Sequence, residues 1–173
     1  MINKMSKILL PIFIVLLCAC SKYADIPGKN ISLTQNMTGL YMFEAQQGKA
    51  QWVLEAKKAQ IRENNSLADL TYPVIYFKEN GKNVSHLTAK QGLMNLDTKH
   101  ITLIGNVKVK SIKEKMSLTT DKLNYSFKKN KFYTKNKVII SQKSTVTEGI
   151  GFEAASDLSE IIIYNQKTVE SKK

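Results

Sequence analysis

Residues 86–110, HLTAKQGLMNLDTKHITLIGNVKVK, decide the fold. Leu87-Thr88-Ala89 opens as a short strand, Asp97-Thr98-Lys99 makes a polar turn, and Ile101, Leu103, Gly105, Val107 and Val109 then alternate with mostly polar neighbours. A period of two places successive side chains on opposite faces of a strand. The unit recurs. Leu118-Thr119-Thr120 stands 31 positions beyond Leu87-Thr88-Ala89, and Val138 and Ile140 stand 31 beyond Val107 and Val109. Weaker copies at Leu54-Glu55-Ala56 and Phe152-Glu153-Ala154 extend the rhythm, so the chain reads as a stack of similar β-elements.

Outward from this stretch, strand signals begin at Leu40-Tyr41-Met42-Phe43, break at Gly48 and resume at Trp52-Val53-Leu54, the pattern of a hairpin. Residues 49–62 also carry helix-favouring Ala, Glu, Lys and Gln. The repeat argues for strand, because it places β-pattern at the equivalent positions. In DLTYPVIYF, residues 69–77, Leu70, Tyr72, Val74 and Tyr76 are expected on one face and Pro73, Ile75 and Phe77 on the other. Pro73 has no N–H for a ladder, so it marks an edge or a bulge. Leu123, Tyr125 and Phe127 alternate with polar residues, Gly149-Ile150-Gly151 forms a joint, and Ile161-Ile162-Ile163-Tyr164 closes the domain.

The N-terminus has a basic start with Lys4 and Lys7, then an apolar run from Ile8 to Ala19 that is short for a bilayer, which needs ~20 residues. It reads as a signal peptide of residues 1–19. Leu17-Cys18-Ala19-Cys20 resembles a bacterial lipobox, making Cys20 the lipid-bearing first residue of the mature chain; an uncleaved short anchor is the alternative. A tether over residues 20–38, a domain over 39–166 and a polar tail over 167–173 complete the expected organisation. With Cys20 acylated and Cys18 removed, no internal disulfide can form, and the core alone must hold the fold.

The formal net charge of +12 favours an anionic partner or surface. Arg62 is the single arginine among 26 basic residues, and arginine is the side chain suited to bidentate phosphate and base contacts. Scattered lysines on an exported chain point away from nucleic acid and toward anionic lipid. An enzyme needs a reactive constellation, and none is legible: His86 and His100 lack metal-ligand spacing to a carboxylate or cysteine, and the glycines form no phosphate loop. No cofactor is expected.

Taken in order, Gly48 with Trp52-x-Leu54-x-Ala56, Pro73-Val74, Leu87-Thr88-Ala89-Lys90, residues 101–109, Leu118-Thr119-Thr120-Asp121-x-Leu123 and Gly149-x-Gly151-Phe152 resemble the LptC family, membrane-anchored periplasmic members of the lipopolysaccharide transport bridge. The resemblance implies an all-β fold, an antiparallel jellyroll opened like a taco around an apolar groove for acyl chains. Family members usually carry an uncleaved transmembrane helix, where this chain offers a lipobox. The groove positions expected are Trp52, Leu54, Leu70, Tyr72, Val74, Leu103 and Val107, with Val109, Leu123, Tyr125, Phe127, Val138, Ile140 and Phe152. The implied partners are lipopolysaccharide, an inner-membrane ABC transporter complex, and a soluble periplasmic bridge protein docking on the edge Ile161–Tyr164. A soluble bridge-type relative, a structural envelope lipoprotein and a polyanion-binding sandwich are the other readings of the same β-pattern.

Overall fold

The computed structural model describes residues 34–170 apart from 63 and 65, without the side chains of 168–170. Eleven strands form one antiparallel sheet: β1 Thr34–Gln46, β2 Lys49–Arg62, β3 Leu67–Glu79, β4 Lys82–Thr88, β5 Gln91–Asn95, β6 His100–Ser111, β7 Met116–Ser126, β8 Lys131–Gln142, β9 Thr145–Ala155, β10 Ile161–Ile163 and β11 Lys167–Glu170. The sheet order follows the chain from β1 to β10. Two features depart from strict succession: β4 and β5 share one place between β3 and β6, and β10 and β11 share the outer side of β9.

Most of the long strands, though not β2, are interrupted near the middle, and the interruptions fall in line. Gly39, Tyr72, Gly105, Asn106 and Gly151 have positive φ, β4 breaks from β5 at Ala89-Lys90, and β6, β7 and β8 lose register within 104–107, 120–124 and 134–137. Bulges bend a strand and increase its twist. A row of them across neighbouring strands makes a crease, and along it the single sheet folds into two facing leaves. The fold is the antiparallel β-jellyroll, its two sheets being two leaves of one. Residues 49–62 are strand throughout, pairing with β1 and β3.

Alternation supplies the interior. In one leaf a ladder of partners runs Met42, Leu54, Ile75, Leu87, Val109, Leu118 and Ile140. In the other it runs Ile61, Ala68, Met94, Ile101, Tyr125, Phe132, Ala154 and Ile161. Facing apolar ladders of this kind form the core of a sandwich. The sequence repeat has a structural cause: its period is one passage across the fold and back, so Leu54, Leu87 and Leu118 occupy one ladder. The fourth copy, at Phe152, lies on the far side of the crease, beyond Gly151.

Three expectations are corrected. Strand begins at Thr34, inside the stretch read as a tether, and Lys167–Glu170, read as tail, pairs with Thr145–Glu148. Tyr72 and Val74 do not share the face of Leu70. Tyr72 sits on the crease at φ 50°, which adds one step to the alternation, so Pro73, Ile75 and Phe77 turn inward with Leu70 while Tyr72 is left 56% exposed. A one-residue slip reverses every later side chain. Pro73 is tolerated because it sits where the ladder is already broken; its carbonyl accepts a hydrogen bond from the Ala89 N–H at 3.2 Å.

Candidate functional site

On the side opposite the crease the turns at the strand ends form two lips that meet over the interior. The turns between β2 and β3, β5 and β6, and β7 and β8, with the segment after β9, make one lip; those between β1 and β2, β3 and β4, β6 and β7, and β8 and β9 make the other. Aromatic side chains meet between them. Phe127 packs on Trp52 with ring centres 4.3 Å apart, and Phe77 meets Tyr125 and Phe132 edge-on at 4.8 and 5.4 Å. Lys99 of one lip pairs with Glu44 of the opposite leaf at 3.4 Å. The Tyr125 hydroxyl donates to Asn130 Oδ1 at 2.7 Å, and burial raises its pKa well above the usual tyrosine value.

A strap of residues 156–160 crosses from the end of β9 to the other lip. The buried Ser85 hydroxyl on β4 donates to the Ser156 carbonyl, and the Ser111 hydroxyl at the end of β6 donates to the Asp157 carbonyl at 2.7 Å. Lys113 bridges Asp157 at 3.0 Å and Glu79 at 3.4 Å. Between these ties Leu158, with φ 62°, inserts its side chain into the core and is 1% exposed. The sequence reading missed this strap, because an isolated leucine in Ser-Asp-Leu-Ser-Glu carries the signature of a polar turn.

The strap also gives the domain a pH limit. Burial would raise the Asp157 carboxyl, but hydrogen bonds from the Ser159 hydroxyl and N–H and the pairing with Lys113 outweigh it and hold the carboxyl below its usual value of 3.8. A carboxyl lowered by folding contributes stability above its unfolded pKa and loses it as pH falls through the folded one. Amide exchange at Leu158, corrected for intrinsic chemistry, should be flat from pH 7 to about 4 and rise below. An increase already present at pH 6 would show that Asp157 is not the controlling group. Lys113 sets no limit in that range, since Asp157 and Glu79 hold it above its usual 10.5.

Of the groove positions, Trp52, Leu54, Leu70, Leu103, Val107, Val109, Leu123, Tyr125, Phe127, Val138, Ile140 and Phe152 are brought together inside and buried; Tyr72 and Val74 are not. Around the lips lie a cleft of ≈ 260 Å³ over Trp52, Phe77, Tyr125 and Phe127 and a larger polar one of ≈ 610 Å³ bounded by Lys49, Lys78, Glu79 and Asp157. His86 lies near Tyr76 and His100 near Tyr133, and no group of His, Cys, Asp or Glu among the described residues could hold a metal. Ile161–Ile163 pairs by one side with Phe152–Ala154, and Tyr164 exchanges hydrogen bonds of 3.0 Å with Ile150 and Gly151. The other side of β10 has no strand among the described residues, and β1 bounds the sheet at the opposite end.

Residues 24–170 match the profile of the family described as "Lipopolysaccharide-assembly, LptC-related". The chain belongs to the LptC family. Its fold is similar to that of LptH from Pseudomonas aeruginosa, described as the LptA homologous periplasmic component of the conserved lipopolysaccharide transport device. The TM-score is 0.54 at 11% identity over 68% of this chain and 93% of that one, a likeness of fold. No curated protein matches the chain. As an LptC-family jellyroll, the domain presents its two sheet edges, β1 and β10–β11, at opposite ends of the interior ladders.

Proposed function

We propose that this LptC-family protein is a non-enzymatic lipopolysaccharide carrier of the periplasmic face of the inner membrane, receiving its cargo from an ABC transporter and handing it to a soluble bridge protein. The observation that carries this reading is the direction of the interior. Together its apolar ladders run across the strands, from the β1 edge to the β10 edge, over roughly 38 Å at the usual strand spacing. A free edge invites strand addition by a partner, so a neighbour of the same fold docked on either edge would continue the apolar path. Each methylene moved from water into that path contributes ~0.8 kcal/mol, so a multi-chain lipid can be held without specific polar contacts. By this reading β10 with Tyr164 receives the bridge protein and β1 faces the transporter.

Photo-crosslinking from single positions tests it. Probes at the inward Leu103 and Val138 should form lipopolysaccharide adducts in cells, while a probe at Ile139, the outward neighbour of Val138, should not. Adducts equal at Ile139 and Val138, or absent from both inward sites, would reject the interior path.

Attachment is the second part of the reading. The Leu17-Cys18-Ala19-Cys20 stretch lies outside the described residues, and no helix among the described ones is long and apolar enough to cross a membrane. Cleavage before Cys20 with acylation of its thiol and new amino group is the expected outcome. Mass spectrometry of the mature protein should find a lipidated N-terminal peptide starting at Cys20, and an intact Met1–Ala19 segment would replace this with an uncleaved anchor.

A further inference from the structure

The interior that the carrier reading requires is closed in this structure, and the closure has a specific construction. Besides the aromatic contacts and the Lys99–Glu44 pair, the lips are joined by the strap, which has three attachments on the opposite lip: Ser85, Ser111 and Lys113. The two serine bonds are buried and neutral, whereas the Lys113 bridge is half exposed and rests on charge. Leu158 is held in the left-handed region, which L-residues other than glycine, asparagine and aspartate adopt at a cost. Released from its ties, the strap therefore has reason to leave that conformation, and its departure removes a leucine from the core.

Beside the strap lies the polar cleft of ≈ 610 Å³. Its wall includes Lys49 and Lys78, neither of which has an ion-pair partner among the described residues, and both acids that hold Lys113, Glu79 and Asp157. It adjoins the smaller cleft over Trp52, Phe77, Tyr125 and Phe127; Gln46, Gln51, Lys78, Asn130 and Ser156 line both. Glu79 and Asp157 are already paired with Lys113, so Lys49 and Lys78 are the charged wall residues left to meet an anionic head, and the aromatic threshold with apolar ladders beyond suits its apolar chains.

We infer that residues 156–160 are a latch over the mouth of the interior, and that the phosphorylated head of an amphiphile seated in the Lys49–Lys78 cleft opens it by drawing Lys113 from Asp157. Phosphate oxygens are strong acceptors for ammonium groups, and Lys113 is close enough to the cleft to bond two of its wall residues. With Lys113 engaged by the ligand, Asp157 loses its cation, the strap keeps only its serine ties, and Leu158 yields its place to an acyl chain. This rests on the carrier reading and adds to it a head-group site and an order of events.

The test uses the full chain in detergent micelles, with purified lipopolysaccharide and the same material enzymatically dephosphorylated as probes. Amide exchange of Leu158, whose N–H donates to the Ala155 carbonyl at 3.0 Å, reports the latch. Phosphorylated probe should accelerate that exchange, and dephosphorylated probe should not. Asp157→Asn should accelerate it without any ligand by about fivefold, the scale of a half-exposed ion pair. Lys49→Gln with Lys78→Gln should weaken binding of the phosphorylated probe by about tenfold and leave the dephosphorylated one unchanged. Lipopolysaccharide that binds without changing Leu158 exchange, or a double variant that weakens both probes equally, overturns the latch and leaves the carrier reading standing. Wild-type protein that binds neither probe overturns the carrier reading itself.

Discussion

Phe77→Ala is expected to lower the stability of the domain by ~3–5 kcal/mol, the range for removing a buried aromatic side chain. Phe77 is on β3 in one leaf, and its ring meets Tyr125 and Phe132 of the other, so the substitution empties a position where the leaves join. Each edge-on pair adds ~0.5–1.5 kcal/mol beyond burial. For a domain of this size the melting temperature should fall by roughly 10–15 °C. Ile162→Ala, on the exposed face of β10, should stay within ~0.5 kcal/mol of the wild type. Thermal and urea unfolding of both variants decide the matter. A Phe77→Ala loss under ~1 kcal/mol would mean that the leaves are held together elsewhere. It would also favour a groove that already stands open, since ligand-lining side chains that touch little can be removed at small cost.

Gly149→Val should detach the C-terminal edge. A Cβ at this position would lie 2.2 Å from Ile163 Cγ2 and 2.8 Å from the Tyr164 carbonyl oxygen, so any side chain displaces β10 or its continuation from β9. Two residues on, Gly151 has φ 91° and packs beneath the Tyr164 ring, so the return of the chain over β9 depends on both glycines. The variant is expected to lose protection of the Tyr164 amide, which donates to the Gly151 carbonyl at 3.0 Å. Its affinity for the bridge protein should fall by more than tenfold, because several ladder hydrogen bonds at ~1 kcal/mol each position that edge. Association with the transporter, assigned to the β1 edge, should persist. Undiminished bridge binding by a Gly149→Val protein whose Tyr164 amide exchanges freely would remove the docking role from Ile161–Tyr164.

Both experiments touch features that the sequence marked without explaining. Gly149-x-Gly151 was legible as a joint, and the structure shows what it accommodates: the Ile163 methyl and the Tyr164 ring. Phe77 was legible as a strand residue but was placed on the face opposite the expected groove; the structure turns it inward to meet aromatic partners from β7 and β8.

Period-two alternation by itself determined the strands and most of the inward positions outside β3, from Trp52 to Phe152, while the antiparallel jellyroll came from the family resemblance. The information in the alternation is local, since each strand needs a buried face and declares it residue by residue. The family resemblance, carried by short motifs in order, was likewise legible before any coordinates. Tertiary structure alone decided the crease, because a strand bends where its neighbours bend; Pro73 announced an edge or a bulge, but not that Tyr72 beside it takes a left-handed conformation and reverses the faces of the pattern. It also decided the closure of the mouth. Leu158 is buried by Ser85 and Ser111, 71 and 46 positions from the strap residues they bind, and by a lysine that bridges two acids on different turns. Lys167–Glu170 became a strand for a related reason: β9 offered an unpaired edge beyond the crease, and a polar segment with no apolar face of its own took it, its ladder bonds supplied by the edge.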